Sequence, residues 1–434
     1  MKMSNDQLAQ KLESALGAAA VQSNSDQRAQ HAVDSTQPAL VCFPDNPEQV
    51  AAALRACHEA EAAVVPWGGG TAMRIGNRPR KVDVAFGLHR VNRLIEHDHA
   101  NLTVTVQSGM TLAALQDILA REKQFLAFDL PFPPRSTIGG TVAGNLNGPR
   151  RSFFGSVRDL VIGMKVALIT GEQIKGGGKV VKNVAGYDMC KLFVGSLGTL
   201  GIITEVTIRV APISEIAASL MASGDLSQAL QFADDLSNSP LLPAAVVILN
   251  PAASRLHALQ AEWSVAVWSE GFEETVARHL RDATTLAQRH GLRTEILRDN
   301  LHKRFWDRIR DFPLKGDGLV YRLTLPRASV AGALKAVQER QNSGWFTPIV
   351  TDAAAGTMWI ASPAEGEGRE HFSTLTALAR EQRGHAILFA APAELKEGID
   401  VWGPAPPTLS SMKEIKRQFD RKGLLNPGRF VGGI

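Results

Sequence analysis

Three stretches of the chain place glycines and small hydroxyl residues where backbone must come close to something else. They are Gly68-Gly69-Gly70-Thr71 after "VVPW", "STIGGTVAGN" over 136–145, and "VGSLGTLGIIT" over 194–204. Successive N–H groups in tight glycine turns form concave nests that hold phosphate oxygens, and side chains there would block the approach. Thr71, Ser136 and Thr137 add hydroxyl donors. One glycine run alone is also what a plain tight turn needs. Three such loops converging on one ligand imply a long ligand with a diphosphate, wrapped by the chain. No GxxxxGK[ST] appears, and no GxGxxG opens a helix near the N-terminus, so neither a P-loop nor a dinucleotide site of the Rossmann kind is indicated.

The totals narrow the partners. The 434 residues carry a net charge of +4, too slight to argue for nucleic acid. No apolar run is long enough to span a membrane. The N-terminus lacks the basic start and apolar run of a secretory signal, and a cytoplasmic protein is expected. Cys42, Cys57 and Cys190 lie far apart with no CxxC pair, which argues against a zinc ribbon or an iron–sulfur cluster. No metal site is expected: His97-x-His99 precedes the strand "LTVTV" and reads as a polar loop. A basic excess, from Arg135 through Arg150, Arg151 and Arg158 to Lys191, is either a solvated surface or a site for an anion.

The elements that position these residues are partly legible. Leu8, Leu12 and Leu16 share one helical face near the N-terminus. Asn46-Pro47-Glu48 is a cap, a first-turn proline and a first-turn acid, opening a helix with Val50, Ala53, Leu54 and Cys57 inward. A strand at 63–65 leads into the first glycines. Thr111 caps a helix carrying Leu112, Leu115 and Leu119, and 161–175 reads as a hairpin turning at Thr170-Gly171-Glu172. Strands and helices are mixed here without strict alternation, so an α+β domain is predicted. After Pro212, strands at 264–268, 319–325, 357–361 and 384–390 are interleaved with helices near 272–290, 328–340 and 370–382. That repetition predicts a split βαβ, ferredoxin-like second domain. Residues 393–409 read as a linker. The segment "SSMKEIKRQFDRKGLLNPGRF" predicts a helix with a capping box from Ser411 to Glu414, Met412, Ile415 and Phe419 inward, and Gly423 at its end. The expected organisation is a helix and lead-in over 1–35, an α+β domain over 36–212, a cap over 213–409, and a segment over 410–434 returning to the first domain.

"VVPWGGGT", "STIGGTVAGN", "RSFFGSVRDLVIGMKVALITGE", "KNVAGYDMCKLFVGSLGTLGIITEVTIRVAP" and "FDRKGLLNPGRF" resemble the vanillyl-alcohol-oxidase (PCMH-type) FAD-binding flavoproteins. The resemblance runs from about residue 36 to 212 and returns at the C-terminus. Within that family, "NGPRRSFFGSVRDLV", "KNVAGYDMCKLF", "YRLTLP" and "GHAILF" are most similar to the FAD-binding subunits of bacterial glycolate-oxidising complexes. The resemblance implies that Pro66, Gly68, Gly69, Gly70 and Thr71 form a loop around the FAD pyrophosphate, and that Thr137, Ile138, Gly139, Gly140, Gly144 and Asn145 form a second. It implies that Gly198, Gly201, Ile202 and Ile203 lie along the ribityl and adenosine parts, and that Asn426 folds back near the flavin. Tyr187 is expected to pack near the cofactor, and Trp67 to be an ordinary surface or core aromatic. Residues 66–71 and 131–155 contain neither histidine nor cysteine, so the FAD is expected to be non-covalent.

Oxidising a 2-hydroxy acid at a flavin requires a cation for the carboxylate and a base for the hydroxyl proton. Arg322, on "LVYRLTL", is the expected carboxylate clamp, with Arg310 second. His385, in "GHAILF", is the expected base, since its unperturbed pKa is near neutrality. Catalytic relatives that oxidise hydroxy acids carry a GDGN-x-H segment with metal-binding histidines, which is absent here. The resemblance therefore implies a subunit that holds FAD and relays electrons within a complex. Its partners would be a catalytic flavoprotein subunit and an iron–sulfur subunit, through which the complex would sit at the inner membrane. A self-sufficient dehydrogenase using Arg322 and His385, or a scaffold subunit, are the alternatives.

Overall fold

A computed structural model describes residues 3–178, 188–260, 262–341, 347–364 and 368–434. Tyr187 lies outside them. Among the described residues the N-terminal half holds two main sheets and a two-stranded pair, Gln124–Phe125 with Ala211–Pro212. The first has the order Val21–Gln22, Leu40–Cys42, Val84–Gly87, Val64–Trp67, with its last three strands parallel. The helix Pro47–Ala60 connects Leu40–Cys42 to Val64–Trp67. It begins as its sequence predicts: the Asn46 side chain accepts from the Gln49 amide at 2.9 Å, and Pro47 opens the first turn. It buries Val50, Ala53, Leu54 and Cys57, together with Leu8, Leu12 and Leu16 of the helix Asn5–Leu16. Each fully buried leucine contributes about 1.5–3 kcal/mol.

The second sheet is antiparallel, in the order Leu94–Asp98, Thr103–Gln107, Ile202–Arg209, Val161–Ala167, Gln173–Gly177. It packs on the helices Leu112–Ala120 and Ile138–Gly144. The expected hairpin is its last pair, with Gly171 at φ +82° in the turn. The polar loop expected around His97 is instead part of the edge strand Leu94–Asp98, and the His97 ring bonds to Gln124 at 2.9 Å.

The second half is one eight-stranded antiparallel sheet. Its order is Arg293–Arg298, Ile216–Gly224, Trp263–Gly271, Ala245–Leu249, Ile349–Asp352, Thr357–Ser362, Leu319–Thr324, His385–Ala390. The first four strands and the last four each have the ferredoxin-like order 4-1-3-2, and the two units join where Ala245–Leu249 pairs with Ile349–Asp352. The sequence predicts the split βαβ motif; the structure contains it twice. The helices Leu226–Asn238, Glu273–Arg289, Val330–Gln341 and Gly368–Glu381 supply the two βαβ connections of each unit, and Asp299–Asp311 links the units.

Buried polar groups tie the halves together. Arg150 pairs with Asp129 at 2.5 Å and with Glu270 of the eight-stranded sheet at 2.9 Å, among the rings of Phe125, Phe154 and Trp268. Arg74 donates to the carbonyls of Gly316, Asp317 and Gly318. Lys396 and Arg429 both pair with Asp34.

The C-terminal helix corrects its expected register. It spans Leu409–Phe419, so Ser411 lies inside it and is no cap; Ile415 is exposed, and the buried residue is Lys416. The Lys416 ammonium donates to the carbonyls of Thr199 and Leu425 at 2.7 and 2.9 Å and to Asp420 at 2.6 Å. Burial lowers its pKa, opposed by Asp420. Removing the carboxylate with Asp420→Ala would leave a buried ammonium without its counter-charge. Such losses cost about 3 kcal/mol or more, expected as a lowered urea midpoint. The double variant Lys416→Met/Asp420→Ala is expected to recover much of that loss.

Candidate active site

The three glycine segments converge. A β-carbon on Gly68 would strike the Thr137 side chain, and one on Gly69 would overlap the Arg135 carbonyl oxygen, so the first segment lies directly on the second. A β-carbon on Gly198, at φ +69°, would meet the Pro66 ring at 2.7 Å, so the third lies on the first. Glycine is therefore required as much by the closeness of the segments as by any ligand. Thr71 and Ser136 hydroxyls bond to each other at 3.0 Å across the junction.

Together the segments line a back chamber with about 870 Å³ of empty space, part of it open to solvent. Pro66, Gly68, Gly69, Gly70 and Thr71 line it, as do Thr137, Gly139, Gly140 and Gly144, then Gly198, Gly201, Ile202 and Ile203, and finally Asn426. Two expected residues do not. Ile138 points away into the core formed around Leu115 and Val106, because it sits on the opposite face of the helix Ile138–Gly144 from Gly140. Asn145, at φ +45° past the helix end, turns into the neighbouring chamber. The "STIGGTVAGN" turn is in fact that helix, capped by Thr137, whose hydroxyl accepts from the Gly140 amide.

The donor set of the back chamber fits an FAD diphosphate. No carboxylate, histidine, cysteine or tyrosine lines it among the described residues. The Ser108 hydroxyl and the Arg429 Nε are buried there without a hydrogen-bond partner. Arg429 was not singled out in the sequence, although it stands in "NPGRF" three residues after Asn426. It donates to the carbonyls of Met73 and Ile75, and burial lowers its pKa to about 10. The Asn426 amide bonds to the Leu197 carbonyl at 2.6 Å, and Leu425 pairs with Val64, so the tail closes this chamber.

A front chamber adjoins it, sharing Gly144 and Leu146 and lying under the eight-stranded sheet. Its empty space is about 1370 Å³, part of it open to solvent. Strand periodicity builds one wall. Arg322 pairs with Trp359, which pairs with Val350; two residues along, Thr324 pairs with Thr357, which pairs with Asp352. Side chains two apart share a face, so both rows point into the chamber, with Val247 from the neighbouring strand.

Three arginines line this chamber: Arg151, Arg310 and Arg322. Arg310 is neutralised by Asp307 at 2.6 Å and Asp311 at 2.9 Å. Arg322 and Arg151 have no carboxylate partner among the described residues. The Arg322 guanidinium lies 5.4 Å from the Phe389 ring and 5.7 Å from that of Trp359, and its Nε is buried without a partner. Burial, and secondarily Arg151, lower its pKa to about 10; it stays protonated. His385 is not in either chamber. It is exposed at the start of the sheet's edge strand, at the far end of the Asp352–Thr357–Thr324 row, with Gly403 beside its ring. It is therefore not placed to act as a base. The carboxyl that does line the chamber is Asp352, which the sequence did not reveal because its four-residue strand is too short to show a period.

Residues 38–177 match a family model described as an FAD binding domain. The chain is 28% identical over 429 residues to glycolate oxidase subunit GlcD of Bacillus subtilis, covering 91% of this chain and 89% of that one. It is 29% identical over 348 residues to glycolate oxidase subunit GlcE of Escherichia coli, covering 79% and 85%. Its fold matches the solved structure of p-cresol methylhydroxylase with a TM-score of 0.73 at 16% identity, over 98% of this chain and 96% of that one.

Proposed function

We propose that this FAD-dependent oxidoreductase, built on a PCMH-type FAD-binding domain, oxidises a small 2-hydroxy acid at its own flavin as one subunit of a multi-subunit complex. The observation that carries the reading is the front chamber. It shares Gly144 and Leu146 with the cofactor chamber and presents two arginines, Arg322 and Arg151, that make no ion pair among the described residues. Such a pair selects a small anion, and arginine binds carboxylates in bidentate fashion. The aromatic rings of Trp359, Phe389 and Trp402 line the same chamber.

FAD supplies the redox chemistry when bound. Gly68, Gly69, Gly70, Thr71, Gly139, Gly140 and Arg429 would hold its diphosphate, and Gly198, Gly201, Ile202 and Ile203 its extended remainder. Non-covalent binding is supported by the absence of histidine, cysteine and tyrosine from the described lining of both chambers. The complex is supported by the two similar glycolate oxidase subunits. All three cysteines are buried and no cluster of metal-binding side chains occurs among the described residues, so onward electron transfer would need a partner with its own redox centre. No helix among the described residues is long and apolar enough to cross a membrane; any membrane association would run through partners, with this chain on the cytoplasmic side.

Two measurements test this. Glycolate or D-lactate added without oxygen to the purified, FAD-loaded chain is expected to bleach the flavin absorbance. A yellow protein that neither bleaches nor binds these acids would overturn substrate oxidation in this chain and leave only electron relay. Arg322→Met is expected to raise KM about a hundredfold, because losing one partner of a buried charge-assisted contact costs about 2–5 kcal/mol. The flavin content should be unchanged.

A further inference from the structure

Asp352 is the one carboxyl group lining the front chamber among the described residues; no histidine, lysine, cysteine or tyrosine joins it there. It ends the strand Ile349–Asp352, where the two ferredoxin-like units meet. Its carboxylate accepts from the Ala355 amide at 2.9 Å and makes no ion pair among the described residues. Beside it the Thr357 hydroxyl is buried without a partner.

The registers place it relative to Arg322. The two residues are separated by one intervening strand and by one step of two residues along the sheet. With strands about 4.8 Å apart and a rise of about 3.4 Å per residue, the two Cα atoms stand roughly 12 Å apart on the diagonal. Both side chains project from the same face of the sheet into the chamber, so a small molecule lying on that face can present a carboxylate to Arg322 and a hydroxyl on the Asp352 side.

Resting on the function proposed above, we infer that Asp352 is the base that takes the hydroxyl proton of a 2-hydroxy acid whose carboxylate lies on Arg322. In that step the substrate O–H bond breaks and its proton moves to an Asp352 carboxylate oxygen. FAD held in the back chamber would be the oxidant, supplying the acceptor for the electron pair of the Cα–H bond. A C=O bond forms, and the product is a 2-oxo acid. Asp352 then returns its proton to solvent. Burial holds its pKa up at about 7, opposed by the backbone amides of Ala355 and Ala354 and by Arg151. The charged groups facing the same space are Arg151, Arg310 and Arg322, with Arg310 already neutralised. A base with a pKa near the working pH is ionised often enough to act and basic enough to accept.

The test uses the full chain with its FAD, mixed without oxygen with glycolate or D-lactate and followed by flavin absorbance from pH 5 to 9. For the native chain the reduction rate should rise through a limb near pH 7. Asp352→Asn is expected to slow reduction at least a hundredfold, with KM changed less than threefold, to flatten that limb, and to retain the full flavin spectrum. Asp352→Glu should restore part of the rate and a displaced limb, which a merely structural role would not produce. If the native chain is reduced and Asp352→Asn is reduced as fast with the same pH profile, the assignment of Asp352 falls and the proposed function stands. If no 2-hydroxy acid reduces the native flavin, both fall.

Discussion

Gly69→Ala is expected to yield a chain that is purified without flavin. The new methyl group would overlap the Arg135 carbonyl oxygen, which belongs to rigid backbone. Backbone here has little freedom to move. The Arg135 and Ser136 amides both bond to the Phe132 carbonyl at 2.9 Å, and the Ser136 hydroxyl bonds to the Pro131 carbonyl at 2.6 Å. Relief must come from separating the first glycine segment from the second, and that opens the back chamber at the junction closed by Thr71 and Ser136. Overpacking of this kind typically costs about 1–3 kcal/mol, a loss the remaining fold can absorb. A ligand gripped by both walls loses its contacts to one of them, so FAD affinity should fall at least a hundredfold. The check is the ratio of absorbance at 450 nm to that at 280 nm, with fluorescence titration of added FAD. Normal flavin content would mean that the two segments move independently. Gly178→Ala, where a β-carbon meets nothing within 4 Å and the backbone is not in the left-handed region, controls for the general cost of replacing a glycine.

Asp352→Asn is expected to be more stable than the native chain at alkaline pH. The Asp352 carboxyl has its pKa raised from 3.8 to about 7, first by burial. The unfolded chain gives up this proton near pH 4, whereas the folded chain keeps it until about pH 7. Between those values the folded state binds more protons, so stability falls as pH rises and levels off above pH 7. Each tenfold change in proton affinity is worth about 1.4 kcal/mol, so burying this carboxyl costs on the order of 4 kcal/mol at pH 8, less at pH 5, and nothing below pH 3.5. Asparagine has no such charge. The difference in unfolding free energy between variant and native chain should grow across that range, as read by urea denaturation at fixed pH. Equal stability at pH 8 would mean that Arg151 compensates the charge fully. A buried acid that weakens the fold at working pH is the usual sign of a group retained for its chemistry.

How much of this was legible in the sequence depended on where the determining contacts lie. The helix at Pro47–Ala60 was readable because its cap, its proline and its apolar stripe are all local. The glycine segments were readable because backbone conformation and close approach exclude other residues. Lys416 was not, since its partners Thr199 and Leu425 come from distant parts of the fold; pattern alone sends Ile415 inward and lysine out. The strand Ile349–Asp352 was invisible for a related reason. It is four residues long, and its pairing with Ala245–Leu249 is set by the joining of two units whose sequences do not repeat. His385 was read as central because a strand histidine near neutral pKa suggests a base; its place on an edge strand is a fact of sheet order.

The tail has a temporal consequence. Residues 424–430 supply Asn426 and Arg429 to the cofactor chamber and pair with Val64, more than three hundred and fifty positions earlier. During synthesis on the ribosome, the loops at 68–71 and 198–203 emerge long before the segment that seals them. Cofactor capture is therefore a late event in biogenesis, and a translation product broken off anywhere in the second half would be colourless and open to proteolysis.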